Sequence, residues 1–282
     1  MAPIRRDDTV VRSARLPALL LAAGRPLFAF HMEMYRREVS ASIFPRDERC
    51  APIAGPNPER IAFIGSVAVS GLGVLSHGMT TSSQTARRVA RARGRGLSWS
   101  ELTSPVLTAR TAATMPTLLA EGASAAVVFL GIADVLSVTS ADDWERDLRL
   151  LIAKVRDEAG EGCAVVFAAI PPMGDFRSIP PVAKRLIAAQ IDRLNAVTER
   201  LARDLVGVDH VPFPTWELDG MFVQDLFSWS TMHRKWAEAV APRVHAALDG
   251  VDARRVADQR EVPAVVPVAS TPRSVVDVVE TV

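Results

Sequence analysis

The chain has 282 residues, 49% hydrophobic and 23% charged, with a formal net charge of +1. These are the proportions of an ordinary globular protein with a substantial core, and the near-zero charge leaves no electrostatic case for nucleic acid. Its two cysteines, Cys50 and Cys163, stand far apart, which argues against a disulfide framework.

Residues 1–45 read as an N-terminal helical extension. The apolar stretch 16–32 is broken by Gly24-Arg25-Pro26. Its uninterrupted part is shorter than the roughly 20 residues that a bilayer span needs. Asp7 and Asp8 occupy what would be the basic region of a signal peptide, and no small-x-small cleavage site follows. The stretch therefore predicts an amphipathic helix packed on the domain. In a second reading Arg12, Arg15, Arg25, Arg36 and Arg37 lay residues 12–37 on an anionic membrane surface. Residues 46–59, rich in Pro, Gly and charge, read as a linker.

Strands and helices then alternate. Ile61–Ile64 is a short apolar run ending in glycine, and it predicts the first strand. Thr80–Arg93 predicts a helix with a basic outer face, Leu97–Leu102 a second strand and Arg110–Ala120 a helix. Ala125–Leu130 is apolar throughout and predicts a strand buried on both faces. Ala141–Glu158 predicts a helix capped by Thr139 or Ser140, with Asp142 and Asp143 at its positive end. Ala164–Ile170 predicts the fourth strand, ended by Pro171-Pro172. Val182–Leu205 carries Leu186, Ile187, Ile191, Leu194, Val197 and Leu201 at helical spacing. Val208–Pro212 predicts a fifth strand and Trp229–Leu248 a last helix. Residues 250–282 lack periodicity and read as a disordered tail. Repeated strand–helix units imply a parallel sheet with helices on both faces.

From residue 60 to about 248 this layout resembles the SGNH/GDSL hydrolase family, in particular its actinobacterial lysophospholipase-like esterase branch. The family opens with a strand and Gly-Asp-Ser. Here the block is Ile64-Gly65-Ser66-Val67-Ala68-Val69-Ser70-Gly71-Leu72-Gly73-Val74. Aligning its glycines places Ser66 at the family's Asp and Val67 at the nucleophilic Ser. The oxyanion-hole glycine of the second block corresponds to Thr103. In the third block, Gly131-Ile132-Ala133-Asp134, Ala133 stands at the oxyanion-hole Asn. The fourth, Asp225-Leu226-Phe227-Ser228, keeps the acid as Asp225 and has Ser228 at the catalytic His. Ile170-Pro171-Pro172-Met173-Gly174 and Trp236-Ala237-Glu238 match framework segments of the same branch.

The chemistry of those substitutions follows from the side chains. Valine has no nucleophilic atom, so Val67 forms no acyl-enzyme. A serine hydroxyl is far too weak a base to replace imidazole at Ser228. Ala133 offers no amide to a developing oxyanion, a loss worth about 10²–10³ in rate, and a missing nucleophile or base is worth about 10⁶. A one-residue slip would instead make Ser66 the nucleophile, at the expense of the Gly71 and Gly73 match and without an identified base. His77, His210 and His233 are candidates to approach it, each more simply read as a surface or packed histidine. None has neighbours at metal-ligand spacing, and Gly71-Leu72-Gly73 lacks the rest of a dinucleotide fingerprint.

The expected fold is thus a three-layer α/β/α, flavodoxin-like domain of SGNH type over residues 60–249, with a parallel five-stranded sheet. The expected function is a non-catalytic pseudo-hydrolase that binds a lipid or acyl ligand or a protein partner. Its pocket would draw on Gly65, Ser66, Val67, Thr103, Gly131, Ala133, Asp134, Asp225 and Ser228. No cofactor, metal or nucleic acid is expected, and the chain reads as cytoplasmic. The competing readings are an esterase rebuilt on Ser66 and a membrane-surface accessory protein.

Overall fold

The computed structural model describes residues 21, 23–173, 180–214, 222, 223 and 226–261. The first helix, α1, spans Arg25–Ala41. The break at Gly24-Arg25-Pro26 separates this helix from the helical residues 21 and 23 and is also where it starts. Gly24 is the N-cap, and Pro26 lies in the first turn, where its missing N–H leaves no bond unmade. Phe28, Tyr35 and Val39 face the protein, and the Tyr35 hydroxyl donates to the Pro105 carbonyl at 2.6 Å. Phe30 and Met34 face solvent.

The elements that follow are β1 (Glu59–Gly65), α2 (Val67–Ser70), a 3-10 turn at His77–Met79, α3 (Thr81–Arg93), β2 (Leu97–Thr103) and α4 (Ala109–Thr114). Next come β3 (Ala125–Phe129), α5 (Ile132–Leu136), α6 (Ala141–Ala159), β4 (Ala164–Ala168), α7 (Pro181–Asp204) and β5 (Val208–Val211). A two-stranded ribbon of β6 (Phe222–Val223) and β7 (Leu226–Phe227) precedes α8 (Trp229–Glu261). The five long strands form one parallel sheet in the order β2-β1-β3-β4-β5. Chain order reverses between β1 and β3, the flavodoxin-like switch point at which open α/β sheets bind ligands.

Alternation along each strand divides the interior into two cores. Ala62, Ile64, Ala126, Val128, Val165 and Phe167 face α6 and α7. Ile61, Phe63, Val127, Phe129, Val166 and Ala168 face α3 and α8. Helix starts are set by local hydrogen bonds: Thr80 Oγ1 accepts from the Ser83 N–H, Thr108 from the Thr111 N–H, and Ser140 Oγ from the Asp143 N–H. Of the two caps expected for α6, Ser140 is the one used.

Three boundaries depart from the sequence reading. The helix expected over Arg110–Ala120 stops at Thr114, because Pro116 forces Met115 into extended backbone, with ψ 151. The N–H groups of Leu118 and Ala120 instead donate to the Glu158 carboxylate. The stretch 46–59, read as a linker, packs on the sheet edge. Ile53 and Leu97 exchange backbone bonds at 2.8 and 2.9 Å, and Glu59 already belongs to β1. The last helix continues past Leu248 to Glu261, into the expected tail. Val251 is buried there, and Asp249 and Asp252 pair with Arg93, a guanidinium also held by Glu59. Residues 1–20 and 262–282 lie outside the described residues.

Candidate functional site

At the carboxyl end of β1 the strand passes directly into the short helix α2. Gly65 is the hinge: a Cβ there would come within 2.7 Å of the Phe129 carbonyl oxygen. Ser66 follows, almost fully buried. Its N–H and its hydroxyl both donate to that same carbonyl, at 3.0 and 3.4 Å. The Ser66 carbonyl accepts from Thr103 Oγ1 at 3.2 Å. The Ser66 side chain is therefore folded back onto the sheet, and the next residue, Val67, faces the space above it.

That space is a hollow of about 480 Å³, its open mouth included, lined by Tyr35, Glu38, Val67, Ile132, Pro171, Met173, Trp229, Met232 and Trp236. Its position over β1 and β3 is the switch point of the sheet. Gly131 turns the chain from β3 into α5 at φ 118, where a Cβ would lie 2.3 Å from Ile170 Cγ1. The turn presents Ile132 to the hollow and buries Ala133. Across the opening, Trp229 packs against Gly73, which has φ 75, as Gly71 at the end of α2 has φ 77.

Two expected pocket residues are committed elsewhere. Asp134 is 1% exposed, and its carboxylate accepts from the Ala109 N–H at 3.2 and 3.3 Å, closing the start of α4. Burial pushes this carboxyl up to about 7, against the pull of that N–H. It is on the buried face of α5, and the hollow is lined without it because α5 turns Ile132 toward the hollow instead. Ser228 caps α8: its Oγ donates to Thr231 Oγ1 at 2.9 Å and accepts from the Thr231 N–H at 3.3 Å. Asp225 lies outside the described residues.

The three histidines weighed as bases are likewise engaged or distant. His233 is fully buried, with Nδ1 2.8 Å from Thr81 Oγ1 and Nε2 3.0 Å from the Leu72 carbonyl. That carbonyl is an acceptor only, so Nε2 carries the proton and Nδ1 accepts from the threonine. Burial holds the ring down at about 4. His77 Nδ1 meets Asp47 Oδ1 at 2.9 Å. His210 is on β5, three strands from β1, roughly 14 Å away at the usual strand spacing. Among the described residues, no group of three or more His, Cys, Asp or Glu is placed to hold a metal ion.

A model of the GDSL-like lipase/acylhydrolase family matches residues 63–259. The chain belongs to that family. The match makes the β1–α2 turn, the Gly131 turn and α8 parts of a GDSL-like domain, and leaves α1 outside it. Among solved structures, that of TesA is similar over 67% of this chain and 99% of its own, at 18% identity and a TM-score of 0.50. An active-site mutant of a family two carbohydrate esterase from Clostridium thermocellum is similar over 69% of this chain and 66% of its own, at 15% identity and a TM-score of 0.49. An extracellular lipase from Streptomyces rimosus follows, over 67% of this chain and 99% of its own, at 14% identity and a TM-score of 0.47. No curated protein matches the chain.

Sequence reasoning found Val67, and the Pro171–Met173 turn and Trp236 as framework. It missed Ile132, Trp229 and Met232 as lining residues, although each is adjacent to or within a matched block. Tyr35 and Glu38 carried no signal, since they belong to a helix outside the GDSL-like domain.

Proposed function

We propose that this GDSL-like domain binds a small apolar ligand and does not hydrolyse it. The observation that carries the reading is the pair Ser66 and Val67: the hydroxyl is turned into the sheet toward the Phe129 carbonyl, while a valine faces the hollow. A nucleophile needs a base within hydrogen-bond reach, and the Ser66 hydroxyl points instead at an acceptor that cannot take its proton. The largely apolar lining supports an acyl or other hydrocarbon group as the part of the ligand held there.

The test is reaction with a fluorophosphonate probe and turnover of short-chain nitrophenyl esters by the full chain. The expected result is neither labelling nor turnover above a heat-denatured control. Labelling or hydrolysis that disappears in Ser66→Ala overturns the reading in favour of an esterase built on Ser66.

A further inference from the structure

At the opposite end of the sheet from the hollow, the fold gathers arginines that it does not pair. Cys163 and Gly207 stand immediately before β4 and β5. Beside them the end of α6 and the last turns of α8 form a cleft walled by Arg156, Arg254 and Arg255. Gly207, at φ 72, leaves room for two of the guanidiniums: a Cβ there would lie 3.5 Å from Arg156 Nη2 and 3.6 Å from Arg254 Nη2. The two nitrogens are therefore within about 7 Å of each other, a gap that one phosphate group spans with a charge-assisted hydrogen bond at each end. Arg254 Nη1 lies over a second glycine, Gly250, 3.6 Å from where its Cβ would be.

Among the described residues no carboxylate comes within ion-pair distance of the three. Arg156 Nη2 donates to the Val206 carbonyl at 2.5 Å, and its Nε is buried without a partner. Arg255 reaches Ser124 Oγ at 3.4 Å, and Arg254 makes no hydrogen bond or ion pair among the described residues. Arg93, facing the same turns of α8 from α3, meets Glu59, Asp249 and Asp252 instead. Glu161, which is exposed, is the one carboxylate among the described residues lining the cleft. Three cations and one anion leave an excess of about two positive charges, the match of a phosphate monoester near neutral pH. The excess is felt nearby. Burial holds the Cys163 thiol up at about 11, and the charges of Arg156 and Arg255 pull it the other way.

We propose that Arg156, Arg254 and Arg255 form a phosphate-binding site, which takes the phosphate monoester of a small molecule or of a lipid headgroup. The site is independent of the hollow and of whether the domain hydrolyses anything.

The experiment titrates the full chain calorimetrically with glycerol 3-phosphate and with lactate at fixed ionic strength. Glycerol 3-phosphate is expected to bind at least about tenfold tighter than lactate, which carries a single charge. Arg254→Gln should weaken glycerol 3-phosphate at least about tenfold. It removes a guanidinium that has no protein contact to lose, and circular dichroism checks that the variant folds. Arg91→Gln, which takes the same charge from an exposed position on α3, should change the affinity less than about twofold. Flotation with phosphatidylcholine vesicles, with and without phosphatidic acid, separates the two sources. Flotation that depends on Arg254 assigns the lipid headgroup, and its absence while glycerol 3-phosphate binds assigns a soluble ligand. Equal affinity for glycerol 3-phosphate and lactate, or an equal loss in Arg254→Gln and Arg91→Gln, overturns the site. So does the absence of both glycerol 3-phosphate binding and Arg254-dependent flotation.

Discussion

Replacing Asp134 by Asn should change how stability depends on pH, and by an amount the structure sets. The Asp134 carboxyl is held from an ordinary 3.8 up to about 7, chiefly by burial, with the charge of Asp147 adding to it. Between those values the folded chain keeps a proton that the unfolded chain has released. The stabilisation is therefore complete below 3.8 and is lost as pH rises through 7, a change of about 4 kcal/mol. His233 acts with the opposite sign. Burial lowers its ring from 6.5 to about 4, so its contribution is complete above 6.5 and is lost as pH falls toward 4, about 3 kcal/mol. In the native chain the two nearly offset each other across the same window. Asn retains a side-chain oxygen to accept from the Ala109 N–H, so Asp134→Asn removes the titration with little change of shape. Urea unfolding at intervals from pH 4.5 to 8 should show a shallow native profile. The variant's profile should slope downward toward acid, now governed by His233, and its stability relative to the native chain should rise by a few kcal/mol over the range. Parallel profiles would refute the reasoning, since the buried carboxyl would then titrate alike in both states.

Glycine at the turn after β3 gives a second test. Gly131→Ala combines a φ of 118 with a Cβ 2.3 Å from Ile170, and should cost about 2–4 kcal/mol in chemical denaturation. Gly94→Ala, at φ 61 with nothing within 4 Å, should cost about 1 kcal/mol. Arg93→Met should lose about 2–3 kcal/mol, because it leaves the nearly buried Glu59 carboxylate and Asp252 to Arg95 alone and loosens the last turns of α8, visible as lower helix content by circular dichroism. Arg88→Met breaks only an exposed pair with Glu238 and should stay within about 1 kcal/mol of the native chain.

The sheet was readable because its central strands are written in unbroken apolar runs. Ala-Ala-Val-Val-Phe in β3 and Ala-Val-Val-Phe-Ala in β4 bury both faces, and the helices α3 and α6 carry their own caps in Thr80 and Ser140. Boundaries failed where the deciding partner is far away in sequence. Nothing around Asp249 and Asp252 announces a helix, since what holds it is Arg93 about 155 residues earlier. The site divides in the same way. Val67 and the two prolines after β4 sit in segments whose order is local. Tyr35 and Glu38 reach the hollow through the packing of α1 on α5, α7 and the Pro105 loop, all far away in sequence. The diversion of Asp134 to the start of α4 was equally invisible, because its partner is a backbone N–H.

The position of α1 has a practical consequence for anyone dissecting the molecule. A fragment trimmed to the matched span, residues 63–259, would discard the helix along with the first four residues of β1. It would leave Val67 and Ile132 bare to water on one side, an oily notch prone to bind whatever detergent or neighbouring molecule is at hand. Affinities measured on such a fragment would describe the wound. The smallest piece that carries the intact notch begins before Arg25.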